Sequence, residues 1–196
     1  MFEDLEARFD ELSDAEAAAE QADRERVAIG AIRMTQRLTG STGRPVKVML
    51  GGTVVAGVLR TVGPDWLLLS EGQGRDCLVA LSAVTAVDGL TAATGPELAP
   101  LALRLDLRRA LRGLARDRAP VAVSLVGWTD GSAGGGHGVV GSSGPGEITG
   151  TIDRVGADYI ELAVHAAWEP RRAAAVRSVV LVPLSGVLLV RALPLG

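Results

Sequence analysis

Arginine is the residue type in this sequence with the clearest chemical potential. Of the 20 basic residues 19 are arginine, and the remaining one is Lys47. Arg104, Arg108, Arg112 and Arg116 recur every four residues, so on a helix they form a single basic stripe. A guanidinium group can pair with two phosphate oxygens, and the stripe therefore predicts contacts to nucleic-acid phosphates. The alternatives are a solvated helix face and a docking surface for an acidic segment of the same chain.

Catalytic and metal-binding motifs are missing from the sequence. Two histidines, His137 and His165, and one cysteine, Cys77, are too few for a multi-cysteine zinc site or a clear acid–base pair. We expect His165 to lie at the surface and Cys77 to lie in the apolar core of a strand. The sequence therefore predicts a non-enzymatic protein with no metal and no cofactor.

Charge is distributed unevenly along the 196 residues. Residues 1–25 carry ten acidic and two basic residues, whereas the rest of the chain carries 13 acidic and 18 basic residues. An acidic start is unlike a secretory signal, which begins with basic residues. The longest apolar stretch, residues 178–190, contains Pro183 and is shorter than the ~20 residues that cross a membrane as a helix. We expect a cytoplasmic protein without membrane contact.

The elements that must position the arginines are two helical regions and a series of short strands. Residues 1–39 are rich in Ala, Glu and Arg and are predicted to be helical. A second helix is predicted from about Leu101 to Asp117. Its expected buried stripe consists of Leu103, Leu107, Leu111 and Leu114. Elsewhere, apolar residues alternate with period two and predict strands.

An internal repeat organises these strands. Residues 45–50 match 120–125, residues 57–69 match 150–162, and residues 79–87 match 182–190. Gly57 and Gly150 stand in the middle of matching strands, where a missing side chain permits a sharp bend. The sequence therefore predicts an α+β, mainly β, fold of two tandem five-stranded barrels. Each barrel is preceded by a helix, and an acidic helix stands at the N-terminus.

The predicted organisation has four parts. They are an acidic helical arm (1–22), a first repeat (23–90), a linker (91–100) and a second repeat (101–196) with a glycine-rich insertion at 127–146.

The order of elements in each copy resembles the Sm-like fold of the eukaryotic Sm proteins and the bacterial RNA chaperone Hfq. SH3-like barrels share several of the same features. The resemblance implies RNA binding or regulation, but the family's base-reading residues are absent. Gly63 and Gly156 stand where the family has Asp, and Leu67 and Ile160 stand where it has Asn. Binding is therefore expected through backbone phosphates.

The whole chain also resembles a family of short actinobacterial proteins sometimes labelled Fis-type regulators, although no C-terminal helix-turn-helix is present. Three functions follow as hypotheses. The first is a binding module for RNA or another polyanion. The second is a protein–protein scaffold without nucleic acid, and the third is a DNA-associated transcriptional regulator.

Two further expectations concern contacts. Trp66 and Tyr159 are equivalent in the repeat and are predicted to pack between the barrels or onto the helices. The alternative for both is a platform on which bases stack. The strands at the edges of each repeat are apolar, which predicts pairing between copies as a homodimer or a small ring.

Overall fold

The structure, a computed structural model of the chain, describes residues 2–72, 74–127, 146–166 and 176–193. The chain forms two compact units, Met1–Met34 and Thr35–Gly196. Helix α1 (Phe2–Gly30) makes up most of the first unit. On its surface Arg24 pairs with Glu20 at 2.7 Å, one helical turn away. Such i,i+4 pairs, together with a high content of good helix formers, stabilise this helix.

Two more helices belong to the part of the chain that the structure describes. Helix α2 covers Met34–Thr39 and helix α3 covers Leu107–Arg116. The prediction that residues 1–39 are helical fails only over residues 31–33, because α1 ends at Gly30 and α2 begins at Met34 as a separate element. Glycine disfavours helix continuation because its backbone loses the most freedom on ordering.

Ten strands are found among the described residues of the second unit. They are β1 (Pro45–Leu50), β2 (Thr53–Val62), β3 (Trp66–Ser70), β4 (Asp76–Ala80), β5 (Val84–Asp88), β6 (Pro120–Leu125), β7 (Glu147–Val155), β8 (Tyr159–Val164), β9 (Ser178–Pro183) and β10 (Val187–Ala192). All neighbouring pairs are antiparallel, in one sheet of order β5-β1-β2-β3-β4-β10-β6-β7-β8-β9. This architecture confirms the predicted α+β, mainly β, fold class.

The sheet consists of two halves with the same internal order. In the first half (β1–β5) and in the second half (β6–β10), the last strand pairs with the first, and the others follow in sequence. The ladders match residue by residue. Met49 pairs with Ala86, and the matching Ser124 pairs with Leu189. A bulge follows each of these pairs, because Thr85 and Leu188 are both skipped in the register.

The long strands β2 and β7 each carry a glycine where a side chain would not fit. A Cβ atom on Gly57 would lie 2.8 Å from the carbonyl oxygen of Ser70 on the neighbouring strand. A Cβ atom on Gly150 would collide in the same way with the carbonyl oxygen of Ala163. The glycines therefore permit a close approach of two backbones at matching points of the two halves.

The apolar side chains form two cores. The first-half core contains Leu38 of α2 and inward-facing residues of β1–β4. The second-half core contains Leu107 and Leu111 of α3 and residues of β6–β10. Each core also takes residues from the other half: Leu189 joins the first, and Leu78 and Ala80 join the second. The halves are thus packed together through shared apolar side chains.

Strands β4 and β10 form the junction between the halves. The paired residues are Val79 with Leu189, Leu78 with Val190 and Cys77 with Arg191. Leu78 of the first half lies in the second-half core, and Leu189 of the second half lies in the first-half core. Both cores therefore extend across the β4–β10 junction.

An ion cluster reinforces the junction. The Arg191 guanidinium donates to both carboxylate oxygens of Glu71 at 2.9 and 3.0 Å, and it also donates to Glu147. Burial alone lowers the pKa of Arg191, but the hydrogen bond to Glu71 and the charges of both carboxylates outweigh it and raise that pKa. Glu71 belongs to the first half and Glu147 to the second, so one guanidinium connects the two.

Helix α2 is held by the segment that follows the first half. The Arg37 guanidinium donates to the carbonyl oxygens of Thr91 at 2.7 Å and of Ala93 at 2.8 Å, and it also donates to that of Ala92. Arginine fits here because its planar group offers several donors to a row of carbonyls. The segment of residues 91–95 is therefore held against α2.

Candidate nucleic-acid interface

Helix α3 carries most of the predicted arginine stripe, and two aspartates fix its first turn. The carboxylate of Asp106 accepts the Arg109 backbone N–H at 2.8 Å, and the carboxylate of Asp65 accepts that of Leu107 at 2.7 Å. Both aspartates satisfy donors that a helix start leaves unpaired. Asp65 comes from the β2–β3 turn, so α3 begins at a point set by the sheet.

Two neighbours of this turn complete the attachment. The Trp66 indole N–H donates to the carbonyl oxygen of Leu105 at 2.6 Å. Burial raises the pKa of the Asp65 carboxyl and the negative charge of Asp106 adds to the rise, whereas the hydrogen bond from Leu107 opposes it. The start of α3 is therefore anchored by one charged and one aromatic residue of the first half.

The apolar face of α3 lies against the second-half core. Leu107 and Leu111 are buried, and Leu114 packs against the same core while partly exposed. Leu103 is 56% exposed and precedes the helix, so its predicted place in the buried stripe is wrong. The helical spacing did not account for the break at Leu105, whose backbone leaves the helical region at φ −92° and ψ 66°.

The arginines of α3 lie on the face away from this core. Arg112 and Arg116 are exposed, and Arg108 is partly exposed with a guanidinium nitrogen 3.8 Å from the Asp106 carboxylate. Arg104 is exposed on the separate short 3-10 helix Ala102–Arg104, so three of the four predicted residues share one continuous helix. Arg109 is also exposed and lies three residues before Arg112.

Sequence reasoning missed Arg109 because it followed only the four-residue spacing. Spacings of three and seven also place residues on one helical face, and they connect Arg109 to Arg112 and Arg116. Among the residues that the structure describes, none of these three guanidinium groups has a carboxylate within ion-pair distance. The nearby Arg118 differs, since it pairs with Asp153 at 3.0 Å.

The two aromatic residues singled out in the sequence, Trp66 and Tyr159, take matching places in the two halves. The Trp66 ring is partly buried against the second-half core and is tied to Leu105, as described above. Tyr159 occupies the matching place in the second half and is also partly buried. A Cβ atom on Gly63 would collide with the Trp66 ring, and one on Gly156 would collide with the Tyr159 ring. Glycine at these turn positions thus makes room for the rings.

Two other chemically active residues are buried. His165 is 3% exposed, so its predicted surface position is wrong. Its Nδ1–H donates to the carbonyl oxygen of Ala166 at 2.9 Å, which leaves Nε2 to accept the Thr151 hydroxyl at 2.8 Å. Burial raises the pKa of the Cys77 thiol to about 12. Both residues therefore serve packing in this fold.

Some predictions fall on residues that the structure does not describe. Residues 128–145, which make up nearly all of the glycine-rich insertion and include His137, lie outside the described ranges. In the ranges that are described, no group of three His, Cys, Asp or Glu side chains is placed to hold a metal ion.

An open cleft of about 630 Å³ lies in the first half. Its lining includes two cationic residues, Lys47 and Arg60, and two acidic residues, Glu71 and Asp88. Because the charges are mixed, the cleft offers a polyanion less attraction than the face of α3 does.

Comparisons with known proteins provide no family for this chain. No protein-family model matches it, and a search of curated proteins finds no significant match. None of the helices described is both long enough and apolar enough to cross a membrane.

Proposed function

We propose that the chain is a non-enzymatic RNA-binding module that contacts backbone phosphates through helix α3. The observation that carries the proposal is the exposed set Arg109, Arg112 and Arg116, which lacks carboxylate partners among the described residues. Side chains three and four residues apart on a helix are neighbours, so these cations repel one another. A phosphate backbone would relieve this repulsion and would accept bidentate hydrogen bonds from each guanidinium.

The position of the helix supports this role. Asp65 of the first half fixes the start of α3 and Asp106 caps its first turn, while Leu107 and Leu111 hold its buried face on the second-half core. A rigid helix presents its arginines in fixed positions and loses less freedom on binding than a loop would. Arg116 lies in the last turn, where the helix dipole also favours a cation.

We further propose that each half curls into a small Sm-like barrel. Support comes from the identical strand order of the halves, from the matching bulges after Met49 and Ser124, and from the presence of an apolar core in each half. Gly57 and Gly150 would provide the bends that such a barrel needs. The likeness to RNA-binding barrels also favours RNA by analogy of fold.

A charge-reversal experiment tests the proposed interface. The double variant Arg112→Glu with Arg116→Glu should weaken binding of a fluorescein-labelled single-stranded RNA by roughly tenfold or more, because phosphate contacts are replaced by repulsion. The matched control is Arg60→Glu with Arg75→Glu, which changes net charge equally at exposed positions in the first half. This control should bind nearly as well as the unchanged protein.

The outcomes separate the candidate functions. Equal losses in the two double variants would show that net charge alone attracts the RNA, and the α3 interface would be wrong. No binding by the unchanged protein at 50 mM salt would remove the RNA proposal. The protein–protein scaffold would then lead, favoured by the exposed apolar residues Val179 and Leu181 of β9.

A further inference from the structure

The cleft in the first half has the size of a small-molecule site. Its volume of about 630 Å³ lies within the ~300–1,000 Å³ that is typical of ligand pockets. Strands β1 and β2 provide much of the lining, and the turn after β3 and the end of β5 complete it. None of the lining residues belongs to α3, so this cleft is separate from the proposed RNA interface.

Two opposite charges lie side by side in the cleft. Lys47 of β1 is directly opposite Asp88 of β5 in the antiparallel ladder. Directly opposed residues have Cα atoms about 4.5–5.5 Å apart and side chains on the same face of the sheet. Both side chains are exposed, and in the described part of the chain neither of them forms an ion pair. The cleft therefore presents a cation and an anion at a spacing that one small ligand can bridge.

The other two charged residues of the lining have different positions or partners. Both carboxylate oxygens of Glu71 accept hydrogen bonds from Arg191, at 2.9 and 3.0 Å. Arg60 lies four residues beyond Ala56, the residue opposite Lys47, and this distance is at most about 13 Å along β2. The adjacent pair of Lys47 and Asp88 is thus the place where a ligand with both charges would bind.

The carboxylate of Asp88 is partly fixed by the backbone. Its Oδ1 atom accepts the N–H of Gly89 at 2.8 Å, which leaves Oδ2 for a ligand. An exposed ion pair between Lys47 and Asp88 would contribute little to stability, so a ligand that bridges the two residues displaces little.

An apolar pair of residues lies beside these charges. Pro45 of β1 is directly opposite Val58 of β2, and both belong to the lining. Pro45 stands two residues before Lys47, so the two share one face of the sheet at a distance of about 6.6 Å along the strand. A branched or aromatic side chain extends a comparable distance from its α-carbon. Burial of such a side chain here removes apolar surface from water.

We propose that the cleft binds a free α-amino acid with an apolar side chain. The ligand carboxylate meets the Lys47 ammonium, the ligand ammonium meets Oδ2 of Asp88, and the side chain packs on Pro45 and Val58. One carbon atom separates the two charged groups of an α-amino acid, so both reach neighbouring side chains of the protein. A ligand with only one charge is attracted by one member of the pair and repelled by the other.

The probe for this site is L-leucine, titrated into the isotope-labelled full chain and followed by amide chemical shifts. A ligand of this size with exposed charge contacts should bind with a Kd on the order of 1–10 mM. The shifts should be saturable and should be largest at the cleft, with the amides of Ala56 and Gly89 as reporters. Three analogues serve as comparisons: N-acetyl-L-leucine without the ammonium, L-leucinamide without the carboxylate, and glycine without the side chain. Each should bind about fivefold more weakly or worse.

Two variants assign the charged groups. Lys47→Met should weaken leucine binding by about fivefold or more and remove the preference for leucine over leucinamide. Asp88→Asn keeps an acceptor for the Gly89 N–H and should remove the preference for leucine over N-acetylleucine. Arg60→Met is the matched control, because it removes one cation from the same cleft at the far end of the lining. It should bind leucine as the unchanged protein does, and all three exposed substitutions should preserve the dispersion of the amide spectrum.

Three results would overturn the proposal. The first is the absence of a saturable shift with L-leucine up to about 50 mM. The second is binding of N-acetylleucine or leucinamide as tight as that of leucine, which would mean a site for a single charge. The third is an equal loss in Lys47→Met and Arg60→Met, which would mean general attraction by cations.

Discussion

Replacing Leu111 by alanine tests how α3 is oriented, and with it which arginines face solvent. The Leu111 side chain is fully buried in the second-half core. Truncation of a buried leucine costs about 3–5 kcal/mol, the transfer free energy of the lost atoms plus the cavity left behind. In a unit of this size each kcal/mol lowers Tm by about 2–4 °C, so Tm should fall by roughly 6–20 °C.

The assays are thermal unfolding for Tm and urea unfolding for the free energy of unfolding, both followed by far-ultraviolet circular dichroism, with Leu103→Ala as the matched control. Leu103 is also a leucine near α3, but it is 56% exposed, so its truncation should change the free energy of unfolding by less than about 0.5 kcal/mol. If both variants lose similar stability, or if Leu111→Ala loses less than about 1 kcal/mol, the assignment of the buried face is wrong. The exposed set of Arg109, Arg112 and Arg116 would then lose its structural basis.

Two further predictions concern the glycines and the cysteine. Gly57→Ala should lower the free energy of unfolding by about 1–3 kcal/mol, because the added Cβ meets the Ser70 carbonyl oxygen. Gly113→Ala in α3 meets no atom within 4 Å and should raise that free energy by about 0.8–1 kcal/mol. A decrease for Gly113→Ala would contradict the helix argument, and an increase for Gly57→Ala would contradict the steric one. Cys77, with its pKa raised to about 12, should resist Ellman's reagent at pH 8 until urea unfolds the protein. Rapid labelling under native conditions would instead mean that the β4–β10 junction opens readily.

The strands could be predicted from the sequence because each one is marked by a local pattern of apolar residues. Alternating apolar residues mark β1 and β6, and matched segments 75 and 103 residues apart take equivalent places in the ladders. The tight connections between β4 and β5 and between β9 and β10 follow the same logic. Such patterns predict strands correctly because they depend on residues that are close together along the chain.

The contacts that position α3 and its arginines could not be predicted from local sequence patterns. Asp65 looks like an ordinary turn residue in the sequence, but it caps a helix 42 residues later. Trp66 is predicted to pack between the barrels or onto the helices, but nothing in the sequence indicates that its indole N–H donates to the carbonyl oxygen of Leu105. His165 follows β8 in a polar-looking segment, but it is buried and forms a hydrogen bond with the Thr151 hydroxyl. Each of these contacts depends on which elements meet in space. Helical spacing alone also did not predict that the helix is interrupted at Leu105, before α3.

The salt dependence of RNA affinity tests the central claim most directly. Three or four phosphate contacts on a single strand predict a slope of about −2 to −3 in log K against log salt concentration. Fluorescence anisotropy with oligouridine, oligoadenine and a mixed-sequence RNA from 50 to 300 mM salt should give this slope for all three, with similar affinities. A slope near zero, or a preference of roughly a hundredfold for one sequence, would contradict recognition of the backbone by the arginines of α3.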